Sequence, residues 1–135
     1  MASIGQDGHR SDVELRVPAD SAYASVLRTT TAGLAARLDF QIDDIEDLRI
    51  AVSEASAMVL PSAAPKSDLT CKFFMRPGSL TVSMSVPVEA PVDLQYDSFA
   101  WQVLTTLATD ASADSSDGQF TVSVTMEPGA AGIGV

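Results

Sequence analysis

Three stretches of the chain repeat their apolar residues every three or four positions, the spacing of one face of an α-helix. The longest covers 43–60 and ends before Pro61. Its apolar stripe consists of Ile45, Leu48, Val52, Ala55 and Val59. An earlier helix is predicted from a cap at Asp20 or Ser21 to about Leu38. Its inward residues are Leu27, Thr31, Leu34 and Leu38. Both helices are therefore predicted to be amphipathic and to pack on a core.

The third helical stretch covers 99–109. We predict that its inward residues are Phe99, Val103, Leu104 and Leu107. Trp101 falls on a different side of this helix, where it can contact a partner or form a second layer of the core.

Alternation of apolar and polar residues predicts four strands. They cover 13–17, 69–76, 80–86 and 120–126, with a turn at 77–79. In the third strand, apolar residues alternate with small hydroxylated residues, so one face is apolar and the other is polar. Two-proline segments at 61–68 and 87–97 are predicted to be loops, and the acidic, serine-rich segment 110–118 is predicted to be flexible.

These elements follow the order β-α-α-β-β-loop-α-β. Each strand has one apolar face and each helix one apolar stripe, so the predicted fold class is α+β. We expect a two-layer α/β sandwich with a mostly antiparallel sheet and helices on one face. A chain of 135 residues suits one domain. We place that domain at 13–127, between a mobile leader at 1–12 and a flexible tail at 128–135.

Charge narrows the possible partners. The chain has 8 basic and 18 acidic residues and a net charge of −10, which argues against nucleic acid as a partner. No Lys or Arg follows Arg76. A polyphosphate site would therefore need positive charge from the first half of the chain or from a metal ion. We expect no resident cofactor or metal.

Cys71 and His9 are each the single residue of their type. Neither an intramolecular disulfide, a thiolate zinc cluster nor a Ser/His/Asp triad can be assembled from them with the present spacing. No apolar run approaches the length of a membrane span, and the N-terminus has no secretory-signal pattern. We therefore expect a cytoplasmic protein that makes no membrane contact.

Glu54 and Met58 lie about 40° apart on one flank of the central helix's apolar stripe. Asp43 and Asp47 share that flank. A carboxylate at the edge of a buried stripe can carry a catalytic group, but a soluble helix also places its ordinary surface charges there. Arg28 lies beside the stripe of the first helix, where an arginine is commonly solvated. Spacing alone leaves both interpretations open.

Segment 48–55 reads LRIAVSEA. Thirteen residues separate the pair Leu38-Asp39 from the Ser-Glu-Ala of this segment. This pattern resembles the first nucleotide-site motif of the bacterial anti-sigma-factor serine kinases, which have the histidine-kinase-like ATPase (Bergerat) fold. Segment 98–108, SFAWQVLTTLA, resembles a divergent branch of that family in high-GC bacteria. The order of elements agrees over about 13–127.

The resemblance implies roles for three residues. Glu54 matches the family's general base, which takes a proton from a serine hydroxyl of the partner protein during phosphoryl transfer. Arg28 matches an arginine used in partner recognition. Met58 stands where the family has an asparagine that binds magnesium, and a thioether is a poor ligand for this hard cation.

Two glycine-rich motifs of the family are missing. The adenine-site motif is replaced by PVEAPVD at 87–93, and the lid motif by YDSFAW at 96–101. Glycine allows the backbone to approach a nucleotide closely, whereas proline removes an amide and stiffens the loop. The sequence therefore predicts a degenerate ATP site in which Glu54 is vestigial.

The resemblance implies an anti-sigma factor, present as a homodimer, that sequesters a stress- or development-type sigma factor. An anti-anti-sigma protein of the STAS fold would release it. The alternative is an active serine/threonine kinase of that antagonist, which uses ATP and magnesium through an unorthodox site. A third interpretation, a generic binding module that shares only the fold, also remains open at this point.

Overall fold

The structure is a computed structural model that describes residues 10–129. Its three helices are α1 (Ala24–Arg37), α2 (Ile42–Val59) and α3 (Phe99–Leu107). Its five strands are β1 (Val13–Pro18), β2 (Asp68–Arg76), β3 (Ser79–Pro87), β4 (Asp110–Ser116) and β5 (Gln119–Met126). Short 3-10 turns at Ser21–Tyr23 and Leu60–Ser62 precede α1 and follow α2. Apart from β4, every one of these helices and strands was predicted from the sequence.

The five strands form one sheet in the order β1-β2-β3-β5-β4, and all neighbouring strands are antiparallel. α2 lies across β3 and β5, with α1 and α3 against it. The predicted stripe of α2 is buried along its whole length, from Ile45 to Val59. In α1, Leu27 and Thr31 are buried, whereas Leu34 and Leu38 are half-buried. The predicted α+β class, with an antiparallel sheet and three helices, is confirmed.

The prediction of a flexible segment at 110–118 was wrong, because residues 110–116 form β4 at the edge of the sheet. A two-residue turn joins β4 to β5. Asp117 and Gly118 both have positive φ, at 52° and 73°. Two positive φ values in succession define the tight turn that matches the twist of a β-hairpin, and Asp-Gly is a preferred pair there. The turn therefore aligns β4 with β5.

α3 starts at a capped end. Ser98 Oγ accepts a hydrogen bond from the Trp101 N–H at 3.1 Å. Leu104 is buried, but Phe99 is 78% exposed, so its predicted inward position was wrong. Phe99 is the first residue of the helix, beyond the edge of the core that Leu104 reaches. The helix also ends at Leu107, two residues earlier than predicted.

Trp101 packs half-buried against the core. Its ring meets the edge of Tyr96 with centroids 5.0 Å apart.

Pairing of the first strand extends slightly beyond its predicted start. The Asp12 N–H donates to the Phe73 carbonyl at 2.8 Å, and the Asp12 carboxylate accepts from the Met75 N–H at 2.7 Å. The rest of the predicted leader, 1–9, and most of the predicted tail, 130–135, lie outside the described residues. Within 10–129, no helix is long and apolar enough to cross a membrane.

Candidate functional site

Glu54 and Met58 lie one turn apart on α2, and both are half-buried. Asp43 and Asp44 in the first turn favour this helix, because acidic groups stabilise the positive end of the helix dipole. The Met58 side chain packs against the hydrophobic core. The Glu54 carboxylate makes no hydrogen bond or ion pair with any residue in the described range. It therefore lies on the flank of α2 without a partner among residues 10–129.

Arg28 is half-buried on α1 and reaches across to α2. Its Nη1 donates to Ser53 Oγ at 3.4 Å. Ser53 is held in turn within its own helix, since its carbonyl accepts from Ser56 Oγ at 2.9 Å. No carboxylate in the described part of the chain pairs with Arg28. A guanidinium has five N–H donors, so most of its capacity remains for another molecule.

Ser53 and Glu54 are consecutive on α2 and therefore point about 100° apart around its axis. The Arg28 side chain therefore contacts a different side of α2 from the side that carries Glu54, and the two residues share no hydrogen bond. The structure thus places on different sides of α2 the groups to which the resemblance assigns partner binding and proton transfer. Sequence reasoning missed Ser53, because spacing within each helix does not determine which residues meet where two helices cross.

The segment between β3 and α3, residues 88–98, is hydrogen-bonded to the β4–β5 hairpin. The Val92 N–H donates to Ser115 Oγ at 2.8 Å, and the Val88 N–H donates to the Gly118 carbonyl at 2.9 Å. The Tyr96 hydroxyl donates to the Ala113 carbonyl at 3.3 Å. These bonds hold the segment along the edge strand β4.

A small cavity of about 100 Å³ lies where this segment meets the hairpin turn. Its walls come from residues 88–91 and 115–118. Small-molecule sites usually measure roughly 300 to 1,000 Å³. This cavity is therefore too small to enclose a nucleotide.

Acidic and metal-binding side chains do not gather in the described part of the structure. No group of three or more His, Cys, Asp or Glu residues within 10–129 could hold a metal ion.

Cys71 is fully buried in β2. Burial raises the pKa of its thiol to about 12. The thiolate is the nucleophilic form, so Cys71 is inert in the folded protein at neutral pH. In the unfolded chain the thiol loses its proton at lower pH, and its contribution to stability therefore falls as the solution becomes strongly alkaline.

We expect a thiol-labelling reagent at pH 8 to react with Cys71 at least a hundredfold more slowly in the native protein than in urea. In the native protein less of the Cys71 thiol is in the thiolate form, and the reagent cannot reach the buried sulfur. Labelling followed by mass spectrometry under both conditions measures this ratio. Equal rates would show that β2 opens readily in the native state.

The fold of this chain is similar to that of a solved structure. A crystal structure of the RsbU and RsbW domains of Rv1364c from Mycobacterium tuberculosis is similar to it, with a TM-score of 0.61 and 16% sequence identity. The similarity covers 88% of this chain and 34% of that one. The chain therefore has the α+β architecture of that structure.

Part of the chain is also similar in sequence to curated proteins. Proteins named serine-protein kinase RsbW from Bacillus thuringiensis (strain Al Hakam), Bacillus cereus (strain B4264) and Bacillus anthracis (strain A0248) are each 43% identical over 51 residues. Each match covers 38% of this chain and 32% of the relative. The chain thus matches about a third of the length of these relatives. No protein-family model matches it. The resemblance to the anti-sigma-factor serine kinase family is confirmed.

Proposed function

We propose that this protein is a cytoplasmic anti-sigma factor that captures an alternative sigma factor of the stress or development type through a surface centred on Arg28. A STAS-fold anti-anti-sigma protein releases the sigma factor by competing for an overlapping surface. The observation that carries the proposal is the half-buried Arg28 guanidinium, which donates one long hydrogen bond to Ser53 Oγ and pairs with no described carboxylate. An oriented cation of this kind is suited to a carboxylate on a partner protein.

The position that would hold magnesium does not fit the ion. Met58 offers a thioether sulfur, a soft and weak ligand, and its side chain packs against the core. Magnesium prefers oxygen ligands in near-octahedral geometry. These features support capture of the partner without a bound nucleotide.

The segment that would cover a nucleotide supports the same conclusion. It contains no glycine; one proline lies within it at position 91, and another precedes it at position 87, the last residue of β3. Three of its polar groups are used in bonds to the β4–β5 hairpin. A backbone with this composition offers few free amides for phosphate oxygens. The degenerate ATP site therefore remains part of the proposal.

The second candidate function is a serine/threonine kinase of the antagonist protein. The observation that favours it is the half-buried Glu54 carboxylate, which lacks a partner among the described residues and is a suitable proton acceptor. The curated relatives carry the name serine-protein kinase. ATP and magnesium would then be needed, and the incubation described in the Discussion separates the two functions.

We expect Arg28→Ala to weaken capture of the sigma factor by at least tenfold, because truncating a charged anchor at an interface costs about 2 kcal/mol or more. Stability should change little, since the single bond to Ser53 is long at 3.4 Å. Titration calorimetry of the purified pair measures the affinity, and thermal unfolding checks the fold. Arg37→Ala, an exposed arginine on the same helix, is the matched control.

The partner itself is found by co-expressing the chain with each sigma factor encoded nearby, followed by size-exclusion chromatography. A stable complex with one of them supports the proposal. Failure of every sigma factor to co-elute would contradict it. Equal capture by the Arg28→Ala variant and the original chain would remove Arg28 from the interface.

A further inference from the structure

α3 carries an apolar row of side chains that the core covers only in part. Phe99, Val103 and Leu107 are spaced four residues apart, so their side chains line up along the helix. Phe99 is 78% exposed, and Val103 is half-buried without packing against the hydrophobic core. Leu107, at the end of the row, packs against the core. We call this row the α3 ridge.

The α3 ridge is distinct from the side of the helix that faces the core. Trp101 packs against the core, and Leu104 is fully buried. At about 100° per residue, the side of Trp101 and Leu104 lies about 150° around the axis from the side of Phe99 and Val103. A helix that packs on a single core needs an apolar stripe only about 100° wide. α3 therefore has apolar surface beyond what this fold covers.

No charged residue interrupts the α3 ridge. The helix reads FAWQVLTTL, without an acidic or a basic side chain. A surface helix commonly carries charges on its outer side, as α2 does with five acidic residues and one arginine. Depletion of charge together with an exposed aromatic residue is characteristic of the central part of a protein interface. The outer side of α3 thus has the composition of a surface that another molecule covers.

The surroundings of the α3 ridge are acidic. The segment 88–98, which leads into α3, contains no basic residue and three exposed acidic ones, Glu89, Asp93 and Asp97. None of these three carboxylates forms an ion pair with another described residue. The helix against which α3 packs is the acidic α2, and no Lys or Arg follows Arg76 in the chain. The α3 ridge is therefore an uncharged apolar strip in a negative field.

Charge and shape together define what can cover this strip. The negative field repels a nucleic-acid backbone and an anionic lipid surface, but it attracts lysine and arginine. A row of residues spaced four apart on one helix fits between the corresponding rows of a second helix, the commonest geometry of helix packing. A helix with one apolar face and basic residues beside that face meets both conditions.

We propose that the α3 ridge is a docking surface for a basic amphipathic helix of a partner protein. Phe99 is the anchor, because a largely exposed aromatic ring has the most apolar area to bury when a partner covers it. Asp93 and Asp97 attract the basic residues of the bound helix. The proposal rests on α3 and its neighbours and does not require sigma capture through Arg28. Arg28→Ala should therefore leave this docking unchanged.

Trp101 provides the readout, because it is the only tryptophan of the chain and lies on α3. The probe is a synthetic peptide of about 18 residues, long enough to form a helix, with leucine on one face and lysine on both sides of that face. It contains no tryptophan. We expect the peptide to shift the Trp101 emission to shorter wavelength in a saturable manner. A matched peptide with glutamate in place of every lysine should cause no saturable shift.

Truncation of the anchor tests the apolar contact. Phe99→Ala should weaken binding of the lysine peptide at least tenfold, since aromatic anchors dominate such interfaces. Ile42→Ala is the matched control, because Ile42 is a 67% exposed apolar residue on α2. It lies about 20° around the α2 axis from Ser53, which contacts α1. This control should bind the peptide within about twofold of the original chain.

Charge reversal tests the electrostatic contact. Asp93→Lys/Asp97→Lys should weaken binding of the lysine peptide about tenfold at low ionic strength and allow the glutamate peptide to bind. Asp110→Lys/Asp114→Lys makes the same change of charge on exposed residues of β4. This second variant should bind the lysine peptide within about threefold of the original chain. Circular dichroism checks that every variant is folded.

An unbiased selection tests the chemistry of the bound helix. A displayed library of helical peptides, randomised on one face, is selected on the original chain and depleted on Phe99→Ala. Enrichment of lysine and arginine beside large apolar residues supports the proposal. Enrichment of acidic or uncharged helices, or no enrichment, would overturn it. Equal binding of the lysine peptide by Phe99→Ala and the original chain would overturn it as well.

Two other occupants of the α3 ridge give different results. Co-sedimentation with phosphatidylglycerol vesicles that Phe99→Ala abolishes would assign the ridge to a membrane surface. Self-association in sedimentation velocity that Phe99→Ala abolishes would assign it to a second copy of the chain. Either result contradicts the proposal.

Discussion

Replacing Phe73 by alanine is expected to lower the free energy of unfolding by about 3 to 5 kcal/mol. Phe73 has no exposed surface and lies in β2, opposite Val13 on one side and Val82 on the other. Truncation removes the buried ring and leaves a cavity that the surrounding core cannot fill without moving. The loss is a large share of the total stability of a domain of this size. Urea denaturation monitored by circular dichroism measures it.

The chain provides a matched control in Phe99, which is 78% exposed at the start of α3. Phe99→Ala removes the same atoms from a side chain that is already in water, so the change should lie within about 0.5 kcal/mol. Similar losses for the two variants would contradict the assignment of Phe73 to the core and Phe99 to the surface. A large loss of unfolding free energy for Phe99→Ala alone would support the inward position that the helical spacing of Phe99 predicted.

The elements that the sequence predicted well are those with a strong apolar period. All five stripe residues of α2 are buried, and β5 alternates buried and half-buried residues from Phe120 to Met126. Burial of apolar area drives the packing of such elements, and the period identifies the face that is buried. The local pattern and the tertiary structure therefore agree in these elements.

β4 could not be predicted from the same period, because its inward residues are Ala111, Ala113 and Ser115, which are small and weakly apolar. Alanine, serine and aspartate have little intrinsic preference for strands. The usable signal was the Asp117-Gly118 pair, which is typical of a two-residue hairpin turn and precedes a clear strand. The strand exists because β5 pairs with it and the segment 88–98 covers it.

The cover on β4 has a structural consequence for the candidate site. An edge strand with unpaired backbone groups is a template for unwanted pairing, and proteins commonly cover such edges. Here the Val92 N–H, the Val88 N–H and the Tyr96 hydroxyl are directed to the hairpin. A segment fixed along a sheet edge is less free to close over a ligand. One of these bonds, from Tyr96, satisfies a backbone carbonyl of β4, and all three limit what the segment can bind.

The position of each candidate residue on its own helix could be predicted from the sequence. The contacts between residues of different helices could not. The positions of Glu54 and Met58 on one flank of α2 follow from helical geometry. The contact of Arg28 with Ser53 depends on how α1 and α2 cross, and the separation of Arg28 from Glu54 follows from that crossing. Helix crossings are determined by the packing of whole surfaces, which a one-dimensional pattern does not contain.

We expect the purified protein to show no magnesium-dependent binding of ATP in titration calorimetry. Each missing element that would orient charge around a transferring phosphoryl group costs about 10³-fold or more in rate. Phosphorylation of the cognate STAS protein by labelled ATP should therefore be absent as well. The physical reason is the combination of a thioether at position 58, a glycine-free segment after β3 and no cation beyond Arg76.

Two variants distinguish a degenerate ATP site from an active kinase. Met58→Asn restores an amide oxygen at one position only and should still show no tight ATP binding, because the backbone approach that glycine permits is not restored with it. Glu54→Gln removes the candidate base without changing its shape. If the unmodified chain labels the STAS protein and Glu54→Gln abolishes the labelling, the kinase function is correct and Glu54 is its general base. Labelling that survives Glu54→Gln would instead point to a contaminating kinase, since the proton acceptor would be gone.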